Sequence, residues 1–221
     1  MMPPADPRGR PDEVLRDHLV SKGYDSVSAR ISGRQRIPSG IRSWSSVRRD
    51  LTSHLKEDPG CIATTMVDYY GLPKEGDRAW PGRAEAVHAK PIVKAACVED
   101  ALSADVATAI CSRFDPRRFV PFVMMHEFEA LLFSDCAAFT SAIGHPDLES
   151  DFREIRNHFP TPEDINDSVI SAPSKRIEAL VPRYEKPLFG VATVLEMGLA
   201  RIRAECPHFN SWLNRLESLV V

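Results

Sequence analysis

Four ionisable residues stand where chemistry would need them: Asp68, His126, Glu127 and Glu129. The last three interrupt the run Phe119-Val-Pro-Phe-Val-Met-Met-His-Glu-Phe-Glu-Ala-Leu-Leu-Phe133. From Val120 onward its other residues are apolar or proline. Burying an unpaired charge costs several kcal/mol, so a cation, a metal ion or backbone N–H groups must compensate these acids. Two or three converging carboxylates beside a histidine suit a hard divalent cation, Mg²⁺ or Mn²⁺. Such a cation can activate water and neutralise a phosphate during hydrolysis.

The run changes period in its middle. Residues 119–125 are rich in Val, Phe and Met, as in a buried strand, whereas Glu127 to Phe133 favours helix. Asp68 closes a second strand-like run, Cys61 to Val67. In a parallel sheet these strands point the same way, which places Asp68 and Glu127 on one edge, where α/β folds hold ligands. If the chain is still extended, Glu127 and Glu129 share a side; if helix has begun, His126 and Glu129 do. A structural reading stays open beside the metal. Glutamates in a first helical turn are stabilised by the macrodipole and its N–H groups, and Asp68 can cap a turn at Tyr69-Tyr-Gly71. His126 alone fits a structural role.

The surrounding pattern supplies the elements. Apolar positions 14, 15, 19 and 20 predict an amphipathic helix over 12–22, ended by Gly23. Residues 25–31 alternate like a short strand, 34–40 form a loop, and Ser43 is placed to cap a helix through about Lys56. A loop carrying Trp80-Pro-Gly82 follows Asp68, and helix resumes to Ser112. Beyond Phe133 the periodicity predicts helices over 136–143, 147–157, 174–183, 187–203 and 207–219. Helix–strand–helix–strand–helix–strand implies a parallel sheet with right-handed crossovers.

Charge is unevenly distributed around a net −3. Arg30, Arg34, Arg36, Arg42, Arg48 and Arg49 fall in one acid-free stretch, which either contacts phosphates or forms a solvated face. A second polar cluster, Phe159 to Ser168, contains Thr161 and Asp164 at capping-box spacing with Pro162 at the first helical position. Lys175 and Arg176 begin the next helix within reach of a phosphate. In the last helix Phe209, Trp212, Leu213 and Leu216 form a packing face.

At 43% apolar and 27% charged, the 221 residues suit a soluble globular protein with one substantial core. No apolar stretch reaches the roughly 18 residues that span a bilayer. The five scattered cysteines show neither zinc spacing nor a Cys-x-x-Cys pair, and a reducing cytoplasm is expected. The N-terminus lacks the apolar core of a signal peptide and reads as a disordered lead-in.

Several blocks together resemble the bacterial "domain of unknown function 4276" family. They are Thr64-Thr-Met-Val-Asp-Tyr-Tyr-Gly-Leu-Pro73, Trp80-Pro-Gly82, His126-Glu-Phe-Glu-Ala-Leu-Leu-Phe-Ser-Asp135, Pro162-Glu-Asp-Ile-Asn-Asp167, Pro173-Ser-Lys-Arg-Ile177 and Cys206-Pro-His-Phe209. The resemblance runs from about residue 12 to the C-terminus. It implies kinship with the Toprim fold of topoisomerases, primases and OLD-type nucleases, which bind Mg²⁺ and act on nucleic acid. It also implies an ATPase partner in a phage-defence setting. Family members typically open with a strand ending Val-Glu-Gly that carries the expected general acid/base or metal glutamate. That strand is missing here, and Asp68-Tyr-Tyr70 keeps only the first acid of the Toprim Asp-x-Asp. Truncation at the N-terminus is the expectation; a degenerate copy is the alternative.

The architecture expected is α/β: a Toprim-like parallel sheet of three or four strands flanked by helices, with a C-terminal helical region. Residues 1–11 are the lead-in, 12–135 the Toprim-like domain and 136–221 the helical region. The expected function is metal-dependent nucleic-acid phosphodiester hydrolysis, or its remnant. Asp68, Glu127 and Glu129 would be catalytic, and the same acids with His126 would hold Mg²⁺ or Mn²⁺. Arg34, Arg36, Arg42, Arg48, Lys175 and Arg176 would hold phosphate. The alternative is an inactive partner subunit of an ATPase.

Overall fold

The computed structural model describes residues 11–29, 41–89, 91–110, 113–125, 127–165, 171–182, 184 and 186–220. The expected lead-in over 1–10, the loop 34–40 with Arg34 and Arg36, and His126 lie outside these residues. The described residues fall into two compact units, one made from 41–125 and the other from 11–29 with 127–220.

In the 41–125 unit, α2 (Trp44–Glu57) precedes β1 (Ala63–Asp68), and α3 (Pro91–Ile110) precedes β2 (Phe119–Met124). The two strands pair in parallel, from Ala63 opposite Phe119 to Asp68 opposite Met124. α3 provides the crossover that a parallel pair requires and packs on β2. β2 is buried along its whole length, whereas Thr64 and Met66 of β1 are exposed. This contrast follows from composition: Phe-Val-Pro-Phe-Val-Met is apolar on both faces, while β1 is threonine-rich. Glu99 on α3 accepts the Val123 N–H at 2.7 Å, so a carboxylate stands where a further strand would bond. Trp44 and Val47 of α2, Val98, Leu102 and Val106 of α3, and Phe119 and Val123 of β2 form the core. Each such side chain stabilises by about 1.5–3 kcal/mol on burial.

The described residues form two strands, fewer than the three or four expected. No strand forms over 25–29, and residues 30–31 lie outside the described set. Asp25-Ser-Val-Ser-Ala29 offers one branched apolar side chain, too little surface to bind a sheet face. Ser43 precedes α2 as expected, but its hydroxyl makes no cap bond to the helix backbone and meets Ser45 Oγ at 3.2 Å.

In the other unit α1 (Pro11–Ser21) ends near Gly23, whose φ of +118° suits glycine. α4 (Glu129–Leu132), α5 (Cys136–Ala142), α6 (Glu149–Asn157), α7 (Pro173–Leu180), α8 (Lys186–Met197), α9 (Leu199–Glu205) and α10 (Pro207–Glu217) follow. The helix expected over 187–203 is broken at Gly198, at φ +76°. α8 packs against α1, α4 and α5. Phe133, Phe139 and Phe152 meet ring to ring, with Phe139 and Phe152 4.9 Å apart. His18 on α1 bonds Glu217 on α10 at 2.6 Å, and the Tyr24 hydroxyl donates to Leu216 O at 2.8 Å.

Candidate functional site

Asp68 is the last residue of β1, half-buried at the carboxyl end of the parallel pair and in register with Met124. Two side chains fix the strand that carries it. Thr64 Oγ1 donates to Val120 O at 2.5 Å across the pair. The Arg118 guanidinium gathers the carbonyls of Leu55, Asp58 and Cys61, joining the end of α2 to the entry of β1. Asp68 occupies the capping position of the 3₁₀ turn Tyr69–Gly71, yet its carboxylate makes no cap bond there.

Against Tyr69, the residue that follows Asp68, the structure places a side chain that the sequence pattern did not single out. Arg83 is 7% exposed. Its Nε–H donates to Tyr69 O at 3.0 Å and its Nη1–H to the Tyr69 hydroxyl at 3.1 Å. The guanidinium carbon lies 3.9 Å from the centre of the Tyr69 ring. Lys94 brings a second cation within 5.9 Å of the same ring. Burial raises the Tyr69 phenol above its ordinary value, and the Arg83 charge opposes that rise. Among the described residues Arg83 forms no ion pair.

The Trp80-Pro-Gly82 block is what holds Arg83. Trp80 is buried against Trp44, with ring centres 5.0 Å apart, and donates its indole N–H to Arg42 O. Gly82 adopts φ +73° and lies so close to α3 that a Cβ would stand 2.7 Å from Cys97 O. Only glycine fits there, and the next residue is Arg83. The signal in the sequence was the arginine following a tight Trp-Pro-Gly turn.

In the helical unit Glu127 bonds a helix start and Glu129 stands at one. Glu127 Oε2 accepts the Ser174 N–H at 3.0 Å, in the first turn of α7. Glu129 is 5% exposed and opens α4. Burial, with the Glu129 charge second, pushes the Tyr184 phenol far up. Glu163 is a third acid of this kind, again not singled out from sequence. Its two oxygens accept the His208 and Phe209 N–H groups at 2.8 Å each, at the start of α10. Burial raises its carboxyl while those bonds oppose the rise. The Thr161–Asp164 capping box forms as expected.

The cations expected to hold phosphate are largely engaged. Arg42 pairs with Asp50 at 2.5 Å and bonds Ser46. Arg48 pairs with Asp105 at 3.1 Å, and Trp44 Nε1 donates to the same carboxylate. Lys175 pairs with Glu178 at 2.6 Å; that bond raises its ammonium, with Glu127 contributing. Arg176 donates to Ser171 O and lies 5.2 Å from the Phe159 ring.

Among the described residues no three His, Cys, Asp or Glu side chains form a group that could hold a metal ion. These residues fit a metal only as a site of one or two carboxylates completed by water and substrate phosphate, the arrangement Mg²⁺ commonly takes. Cys61, Cys97, Cys136 and Cys206 form no disulfide. Burial pushes the Cys136 thiol up to about 11 and the Cys206 thiol up to about 12, which makes both poor nucleophiles. Among the described residues no helix is long and apolar enough to cross a membrane. No protein of curated function and no solved structure matches the chain. One family model matches residues 11–217, nearly the whole length, and the chain therefore belongs to the family described as Domain of unknown function (DUF4276).

Proposed function

We propose that this chain is a Toprim-like, Mg²⁺- or Mn²⁺-dependent phosphodiesterase acting on nucleic acid. The observation that carries the reading is the position of Asp68, half-buried at the carboxyl end of a strand in a parallel pair. Asp68 would be the principal metal carboxylate. A bound divalent cation would supply charge neutralisation at the phosphate and a more acidic water. Arg42 and Arg48 are held by Asp50 and Asp105, so phosphate binding through them would require breaking those ion pairs.

Cleavage of labelled DNA and RNA in Mn²⁺, beside Asp68→Ala and an EDTA control, tests the reading. Cleavage lost in both controls supports it; equal cleavage by Asp68→Ala defeats it.

A second reading has its own observation. Glu127 and Glu163 both bond helix N–H groups, and Arg48 is paired with Asp105, as in a protein whose acids are structural. The chain would then be a non-catalytic subunit of an ATPase assembly, as the family resemblance implies. Partner binding unchanged by Asp68→Ala, with no cleavage in any metal, would favour it.

A further inference from the structure

We infer that Arg83 is a phosphate-binding residue at the carboxyl end of β1. A guanidinium carries five N–H donors. Tyr69 accepts at Nε and Nη1, through its carbonyl and hydroxyl, and its ring lies against the cation at 3.9 Å. These contacts are made by neutral groups. They leave the positive charge without a counter-ion among the described residues in a side chain only 7% exposed.

Burying such a charge costs several kcal/mol. Two hydrogen bonds and a cation–π contact offset part of this. An arriving oxyanion would complete the compensation. The remaining N–H groups retain the fork geometry that recognises phosphate. The neighbourhood is pre-set for this. Gly82 presses against α3, Trp80 is locked by Trp44 and the Arg42 carbonyl, and Lys94 stands at the same ring.

A purely structural role, stapling Tyr69 to the Trp80–Arg83 turn, needs no charge and would be met by a neutral donor. The inference deepens the phosphodiesterase reading by naming the group bound at that strand end, and its test is independent of metal and cleavage. In EDTA, inorganic phosphate and a short single-stranded oligonucleotide are titrated separately into the ¹⁵N-arginine-labelled full chain. The Arg83 Nε–H resonance, assigned through its own side-chain carbons, is followed in the wild type, where folding is not at risk.

A saturable shift with either probe, absent with chloride, supports the site. A shift at lower oligonucleotide than phosphate concentration also supports nucleic acid as the source. A shift with phosphate alone keeps the site and assigns free phosphate, rather than nucleic acid, as its source. Arg83→Gln, shown folded by urea denaturation, should weaken binding at least about tenfold. No shift of the Arg83 resonance with either probe overturns the inference.

Discussion

Glu127 Oε2 accepts the backbone N–H of Ser174 at 3.0 Å, so an acid from the most distinctive block of the chain serves the start of α7. Ala172, at the capping position, has no side chain able to do this. Carboxylates near free helix N–H groups also gain from the macrodipole.

Two substitutions separate that role from metal binding. Glu127→Ala should cost about 1 kcal/mol of stability in urea denaturation, the usual loss of a cap. Glu127→Gln keeps an oxygen for Ser174 and should retain most of that stability. If Glu127 is also a metal ligand, Mn²⁺ affinity should fall in both variants. Equal destabilisation by Gln and Ala would show that the Ser174 bond is not what Glu127 contributes.

That bond also shows where sequence reading stops. β1 and β2 were legible because Cys61–Val67 and Phe119–Met125 are short β-rich runs bounded by breakers. α7 and α10 were legible from helical periodicity, and the Thr161–Asp164 box from local spacing. The bonds from Glu127 to Ser174 and from Glu163 to His208 join residues 47 and 45 apart, and no local pattern encodes such partners. Arg83 was hidden for a similar reason: an arginine after a turn is ordinarily exposed, and only the packing of Trp80 and Gly82 buries it. The helix expected over 187–203 contains Gly198, whose positive φ divides α8 from α9.

Glu217 gives the helical unit an acid-sensitive tie. Arg203 bonds both its oxygens, at 2.6 and 3.1 Å, and His18 of α1 bonds it at 2.6 Å. The Arg203 bonds foremost, then that of His18, lower its carboxyl from 4.5 to about 2. A lowered acid contributes stability that is present above its unfolded value and lost as pH falls through its folded one. The tie should therefore hold above about 4.5 and fail progressively toward about 2. Opening of α1, read as amide hydrogen exchange relative to the intrinsic rate at each pH, should rise across that window in the wild type. In Glu217→Gln it should already be raised at neutral pH and change less; identical profiles for the two proteins would refute the assignment.

A metal held by Asp68 is tested by a calorimetric titration of Mn²⁺ into the folded full chain, beside Asp68→Ala. Saturable binding to the wild type and its loss in the variant are expected. No binding to the folded wild type, or equal binding to both proteins, would contradict a metal held by Asp68 and leave the acids as structural groups.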